Sequence, residues 1–267
     1  MSDFSILRKR IIAIVRQSSA ILKKSYTTEE KDSPSNIVTS ADIAVQEFLE
    51  KRLCKLIPGS LIMGEEGKNK QVSSEYLWII DPIDGTMNFA RGIDDYSISV
   101  ALYHKNKIVV GVVYNPTRKK MYSAEYEKGA WCNGKQIKTS NASFEEGIFC
   151  TALSLYKKEY AKQCMAVLSE VYPQCNDFRR FGSCALELCY LAEGKCDLYF
   201  EIRVFPWDYA AAYLILREAG GIIFGPQNKK LSFNCATSII AANSQQNYER
   251  LRDIIDNNIS EYPEEEL

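Results

Sequence analysis

Asp81 and Asp84 stand three positions apart, after the apolar run Trp78-Ile79-Ile80 and before Gly85-Thr86. Carboxylate oxygens are what a hard divalent cation such as Mg²⁺ takes as ligands. Pro82 fixes its own φ and removes a backbone donor. Gly85 lets backbone N–H groups approach a ligand closely. Such a segment can aim two carboxylates at a cation while its N–H groups face an anion. The competing reading is a strand that ends in an ordinary Asp-Gly turn. Two further stations also place acids at the end of an apolar stretch, Gly64-Glu65-Glu66 and Trp207-Asp208. Taken alone, Glu65-Glu66 reads equally as a solvated loop, and Asp208 or Asp42 as a first-turn acid stabilised by its helix dipole.

Acids scattered this widely need elements to carry them to one place. Phe4, Leu7, Ile11, Ile14, Ser18 and Ile21 recur at helical spacing and predict an amphipathic first helix. A polar loop over Thr27 to Ser35, with Pro34, leads to Thr39-Ser40-Ala41-Asp42 and a helix that Pro58-Gly59 stops. Leu61 to Met63 and Tyr76 to Ile80 read as strands that end at acids. Ser97 to Leu102, Ile108 to Tyr114, Met121 to Glu125 and Ala130 to Cys132 continue a β-rich region, with Asn133-Gly134 as a hairpin turn. Strands then alternate with helices. Gly147 to Ala152, Phe178 to Phe181, Asp197 to Glu201 and Ser238 to Ala242 are extended; Lys158 to Val171, Cys184 to Ala192, Trp207 to Ala219 and Asn247 to Ile259 are helical. The boundary falls near Ser140 to Glu146, giving an α+β half over 1–143 and an α/β half over 144–267.

Composition narrows the chemistry. The 267 residues carry 33 Lys+Arg against 34 Asp+Glu, which lacks the basic field that nucleic-acid binding needs. No apolar run approaches membrane-spanning length, so a soluble, cytoplasmic chain is expected. Nine cysteines show no paired metal-ligand spacing and read as reduced thiols, several of them in apolar stretches. His104 is the only histidine, which disfavours zinc chemistry and a Ser-His-Asp triad. The acidic tail Glu261 to Glu266 is expected to fray.

Gly64-Glu65-Glu66, the unbroken Asp81-Pro82-Ile83-Asp84-Gly85-Thr86-Met87-Asn88-Phe89, Trp207-Asp208-Tyr209-Ala210-Ala211-Ala212 and Glu218-Ala219-Gly220-Gly221 occur in that order. Together with Val38 to Asp42, Phe181 to Leu186 and Ala192-Glu193-Gly194, they make the chain resemble the inositol monophosphatase family of the Mg-dependent, lithium-sensitive-type phosphatase superfamily. The likeness runs over nearly the whole chain. It implies a layered αβαβα sugar-phosphatase fold, a homodimer, and Mg²⁺-dependent hydrolysis of a small phosphomonoester, with no nucleic acid or membrane as partner. By the family pattern Glu65, Asp81 and the Ile83 carbonyl would hold one Mg²⁺. Asp81, Asp84 and Asp208 would hold a second, and a third would sit near Glu65. Glu65 and Thr86 would orient the attacking water, with Asp42 supporting Thr86. The N–H groups of Gly85 and Thr86 would receive the phosphate beside Asp84. Ser183, Cys184, Glu201 and Arg203 would face the rest of the substrate, and Lys31 would lie in a lysine-bearing loop.

The chain departs from the family pattern at Ala212, where glycine is common, and at Asp94-Asp95, where a proline is frequent. Neither removes a ligand. Inositol monophosphate or a related sugar phosphate is the leading substrate expectation. A fructose-1,6-bisphosphatase or a 3′,5′-bisphosphate nucleotidase on the same fold is the alternative, with Arg203 reading the second phosphate. A non-catalytic metal-binding regulator is the alternative of another class.

Overall fold

The structure, a computed structural model, describes residues 4–33, 36–67, 75–153, 157–263 and 265–266. The first half opens with helix α1 (Ser5–Ser18), a hairpin of β1 (Thr28–Ser33) and β2 (Asn36–Thr39), and helix α2 (Ser40–Leu56). Strands β3 (Leu61–Gly64) and β4 (Tyr76–Asp84), the short helix α3 (Thr86–Ala90), and strands β5 (Ser97–His104), β6 (Lys107–Asn115), β7 (Lys120–Glu125), β8 (Gly129–Cys132) and β9 (Lys135–Ile137) follow. They form one sheet in the order β3-β4-β5-β6-β7-β8-β9. Every pairing in it is antiparallel except β3 with β4.

The second half runs β10 (Ile148–Ala152), α4 (Ala161–Val171), β11 (Asp177–Arg179), α5 (Cys184–Ala192), β12 (Leu198–Val204), α6 (Pro206–Glu218), β13 (Ile222–Phe224), β14 (Cys235–Ala242), α7 (Gln245–Asn258) and β15 (Glu265–Glu266). Its sheet has the order β11-β10-β12-β14-β13, and β15 adds to β14.

The layering follows from strand periodicity. Along β4, Trp78 and Ile80 pack with Ile11, Val45 and Leu49 of α1 and α2, while Ile79 packs on the other side with α5 and α6. Along β12, Leu198, Phe200 and Ile202 pack with α4 and α7, while Tyr199 joins the α5–α6 layer. The order of layers is therefore α1/α2, first sheet, α5/α6, second sheet, α4/α7, the expected αβαβα arrangement. Helix α5 has every residue buried, as the middle of five layers requires. Gly111 on β6 makes the contact with α6 possible: a Cβ there would lie inside contact distance of the Ala211 carbonyl oxygen. Ala212, where glycine was noted as common, is fully buried in the same helix.

Several elements differ from the sequence reading, among them β13, which it did not contain. The loop expected over Thr27 to Ser35 is largely the β1–β2 hairpin, paired Thr28↔Thr39 and Glu30↔Ile37. Backbone pairing needs no apolar side chains, so a polar strand left no periodic signal. Pro34 lies outside the described residues. The strand expected over Phe178 to Phe181 is shifted to Asp177–Arg179, because Phe181 and Gly182 turn toward α5 instead. In the tail expected to fray, Glu265 and Glu266 pair with Ala236 and Cys235.

Candidate active site

One irregularity aims the two aspartates. Asp81 pairs with Ser99 and Asp84 with Ser97, so Pro82 and Ile83 together oppose Ile98 alone. Such a bulge shifts the side-chain alternation by one. Ser97 and Ser99 share a face, and so Asp81 and Asp84, three apart, share it too. That face looks onto the α5/α6 layer. Strand β12 does the same from the other sheet: Glu201 pairs with Ile239 and Val204 with Thr237 across a second bulge. The N-terminal ends of α5 and α6 lie between the two bulged strands.

The result is a cleft of about 320 Å³. It is lined by Glu65, Asp81, Ile83, Asp84, Gly85, Thr86, Ser183, Cys184, Glu201, Arg203 and Asp208, and by Lys31 from the hairpin. Of the residues expected from sequence to hold metal, water or substrate, Asp42 is not in the wall. It stands behind Thr86, with Oδ1 3.4 Å from the Thr86 hydroxyl, which also donates to the Ile83 carbonyl at 3.0 Å. Asp42 Oδ2 accepts from the Thr39 N–H at 2.7 Å, and Thr39 caps α2 in return. Asp42 is thus both a helix-capping acid and a neighbour of Thr86.

Each acid in the wall is held by donors of the protein. Asp81 Oδ1 accepts from the Ile83 N–H at 2.9 Å, which fixes the bulge. Asp84 accepts from the Cys184 N–H at 3.1 Å, the Ala185 N–H at 2.9 Å and the Ser183 hydroxyl. Asp208 Oδ2 accepts from the Phe205 N–H at 2.7 Å, at the start of α6. Glu65 meets Lys31 Nζ at 2.9 Å, and Glu66 pairs with the same ammonium. As placed, no three His, Cys, Asp or Glu side chains among the described residues close on a common point as a metal cage would. Gly85, at φ +90°, leads into α3; a Cβ there would stand 3.0 Å from the Gly182 carbonyl oxygen and 3.2 Å from that of Asp95.

The electrostatics are those of a buried acidic cluster that Lys31 compensates only at Glu65 and Glu66. Burial holds the Asp81 carboxyl well above its usual range, and Glu65, Asp84 and Asp208 push it further. Asp208 is raised by burial and then by Glu65 and Asp84. Burial lifts Asp84 to about 6 against the pull of Ser183 and the Ala185 and Cys184 N–H groups. Asp42 is pushed up to about 7, again chiefly by burial. Burial lowers Lys31, but Glu65 and Glu66 more than reverse this and raise it overall. Neighbouring carboxylates that destabilise one another's charge are stabilised by a cation between them. The donor set is all oxygen, which fits Mg²⁺ rather than a softer metal.

The opposite wall is of another kind. Burial lifts Glu201 to about 7, opposed by the Tyr199 hydroxyl, which donates to it. The Arg203 guanidinium lies 4.5 Å over the Phe205 ring, which stacks on Trp207 at 4.9 Å. Arg203 is therefore set into the wall by stacking, not left as a loose surface arginine. Arg180, Lys157, Asn36 and Glu187 also line the cleft and were not singled out from sequence. Glu187 did carry a signal: it is the one charged residue of α5. Asp95, one of the residues departing from the family pattern, accepts from the Tyr190 hydroxyl and from Arg118, each at 2.9 Å.

Comparison with known proteins bears on the family and the fold. The chain is 34% identical over 219 residues to the Nus factor SuhB of Escherichia coli K12, covering 79% of this chain and 82% of that one. It is 31% identical over 224 residues to the inositol-1-monophosphatase of Bacillus subtilis, covering 83% and 84%. Among solved structures, the extragenic suppressor protein SuhB of Bartonella henselae superposes with a TM-score of 0.86 at 27% identity, covering 96% of this chain and all of that one. An IMPase/NADP phosphatase complexed with Mg²⁺ and phosphate gives 0.81 at 25% identity, covering 95% and 93%. The model of the inositol monophosphatase family matches residues 3–260. With the motif acids gathered between two bulged strands of an αβαβα fold, the chain belongs to the inositol monophosphatase family.

Proposed function

We propose that this chain is a Mg²⁺-dependent phosphomonoesterase that hydrolyses inositol monophosphate or a related sugar phosphate. The observation that carries the reading is the gathering of Glu65, Asp81, Asp84 and Asp208 in one cleft with Thr86, where burial and then the neighbouring acids raise Asp81 and Asp208. Glu65, Asp81, Asp84, Asp208 and the Ile83 carbonyl would hold two or three Mg²⁺ ions. Bound there, Mg²⁺ supplies neutralisation of the phosphate charge and a more acidic water. The chain's own groups do the rest. Glu65 and Thr86 orient the attacking water, and Asp42 fixes the Thr86 hydroxyl from behind. The turn at Gly85 and Thr86 receives the phosphate, so that positioning provides much of the rate. Ser183, Cys184, Glu201 and Arg203 face the alcohol that leaves. The halves 1–143 and 144–267 each give one wall of this cleft, and a cytoplasmic homodimer is the assembly we expect.

A second substrate reading draws on Arg180 and Arg203, two cations of the same cleft that suit a second phosphate. Fructose 1,6-bisphosphate and 3′-phosphoadenosine 5′-phosphate test it. A relative is named a Nus factor, so turnover is where an enzyme and a regulator of this fold separate. Released phosphate, measured on these two compounds and on myo-inositol 1-phosphate with and without Mg²⁺, decides all three. The proposal expects Mg²⁺-dependent release, greatest from the monophosphate. No release from any phosphomonoester would leave the regulator.

A further inference from the structure

The acid held by the most protein donors in the cleft, Asp84, owes its position to another part of the chain. Its carboxylate accepts from the Ser183 hydroxyl and from the Cys184 and Ala185 N–H groups, the first of α5, and at 3.3 Å from the Ser97 hydroxyl of β5. A helix leaves its first N–H groups without partners inside the helix. Here two of them are spent on an acid about a hundred residues earlier, so the aim of Asp84 depends on where the start of α5 lies.

The turn before α5 is clamped from both sides. Asn88 Nδ2 donates to the Phe181 carbonyl and to the Asp95 carbonyl, each at 2.6 Å. From within α5, Glu187 Oε1 accepts the Phe181 N–H at 2.6 Å and the Gly182 N–H at 2.9 Å. Glu187 is 1% exposed, and its Oε2 is buried with no hydrogen-bond partner among the described residues. A carboxyl buried with half its acceptor capacity unused is costly, and packing alone is better served by an apolar side chain. Its Oε1 does what an apolar side chain cannot, holding two N–H groups that precede the helix.

We propose that Glu187 is a positioning residue for Asp84: Oε1 fixes the Phe181–Gly182 turn, which sets the Ser183, Cys184 and Ala185 donors that aim the Asp84 carboxylate. The inference rests on the reading of Asp84 as a Mg²⁺ ligand. It assigns a task to the one charged residue of α5. It also gives Asn88, within the Asp-Gly-Thr-Met-Asn motif, the matching task on the other side of the turn.

The test is calorimetric titration of the full chain with Mg²⁺ alone, paired with amide hydrogen exchange over residues 182–186. Glu187→Leu is expected to weaken Mg²⁺ binding about 10–100-fold, the usual scale for groups that orient ligands, and to speed exchange at Cys184 and Ala185. Glu187→Gln keeps the accepting oxygen and is expected to restore both. Wild-type Mg²⁺ affinity in Glu187→Leu overturns the inference, as does an equal loss in Glu187→Gln, which would make charge and not hydrogen bonding the cause. Should Glu187→Leu fail to fold, Glu187→Asp draws the oxygen back by one methylene; it must bind Mg²⁺ more weakly, and wild-type affinity overturns the inference. Asp84→Asn separates the two levels. If it also binds Mg²⁺ normally, the reading of the cleft has failed; if it loses binding while Glu187→Leu does not, only this inference has.

Discussion

The two walls of the cleft use the same device and hold their polar groups differently. Each is a strand with a bulge, at Asp81–Asp84 in the first sheet and at Glu201–Val204 in the second. On the bulged strand of the first wall, Asp81 and Asp84 take three bonds from backbone, the Ile83, Cys184 and Ala185 N–H groups, besides the hydroxyls on Asp84. On the bulged strand of the second, side chains do the holding, Glu201 by the Tyr199 hydroxyl and Arg203 by the face of Phe205. Backbone donors change only if the fold changes, whereas side-chain partners change with one substitution. On the proposed function, the contrast gives fixed chemistry to the first wall and adjustable substrate choice to the second.

Substitutions break or sharpen this contrast. In the first wall, Asp84→Asn is expected to lower kcat/KM by more than about 100-fold, since removing one preorganised electrostatic group already costs that much. Steady-state release of phosphate reads it, and a variant with full rate would erase the distinction. Thr86→Ala is expected to cut kcat by about 100-fold through loss of water positioning, with KM little changed. In the second wall, Glu201→Gln is expected to act on KM, by roughly tenfold for a polyol phosphate, because a lost contact to a bound hydroxyl costs on the order of 1–2 kcal/mol. If it lowers kcat as Asp84→Asn does, the walls are not divided by task.

The smallest effect is on stability. The carboxyls of Asp42 and Glu201 are both raised to about 7 in the folded chain, chiefly by burial. A carboxyl raised on folding binds its proton more tightly folded than unfolded. Stability is therefore lost as pH rises from the unfolded value, about 4, to the folded one. With chelator present, the wild-type Tm should fall between about pH 5 and about pH 7.5 by a few degrees more than that of Glu201→Gln, which has nothing there to titrate. Equal slopes in the two proteins, followed by scanning calorimetry, would contradict the burial of Glu201.

The first wall was also the more legible in sequence, for a physical reason. Asp81 to Phe89 is one unbroken segment, and the tasks of Pro82, Gly85 and the two aspartates follow from local backbone geometry. Periodicity gave the strands and helices and their alternation, whereas the five layers were what the family resemblance implied. The bulges did not, because a bulge is a mismatch of register between two strands and shows only when the partner is known. Glu187 acts backward along the chain, onto N–H groups that no periodicity marks. Arg180 and Lys157 reach the cleft from segments that look like ordinary polar surface. The β1–β2 hairpin escaped notice because its strands are held by backbone pairing, yet it brings Lys31 to Glu65 and Glu66.

The central claim is that acids far apart along the chain close on divalent cations beside a phosphate. Anomalous diffraction from crystals soaked in Mn²⁺, as a heavier stand-in for Mg²⁺, with inorganic phosphate tests it directly. The account predicts peaks bounded by Glu65, Asp81, Asp84 and Asp208, with phosphate against Gly85 and Thr86. Ordered Mn²⁺ found only elsewhere, with Glu65 still bound to Lys31, would contradict it.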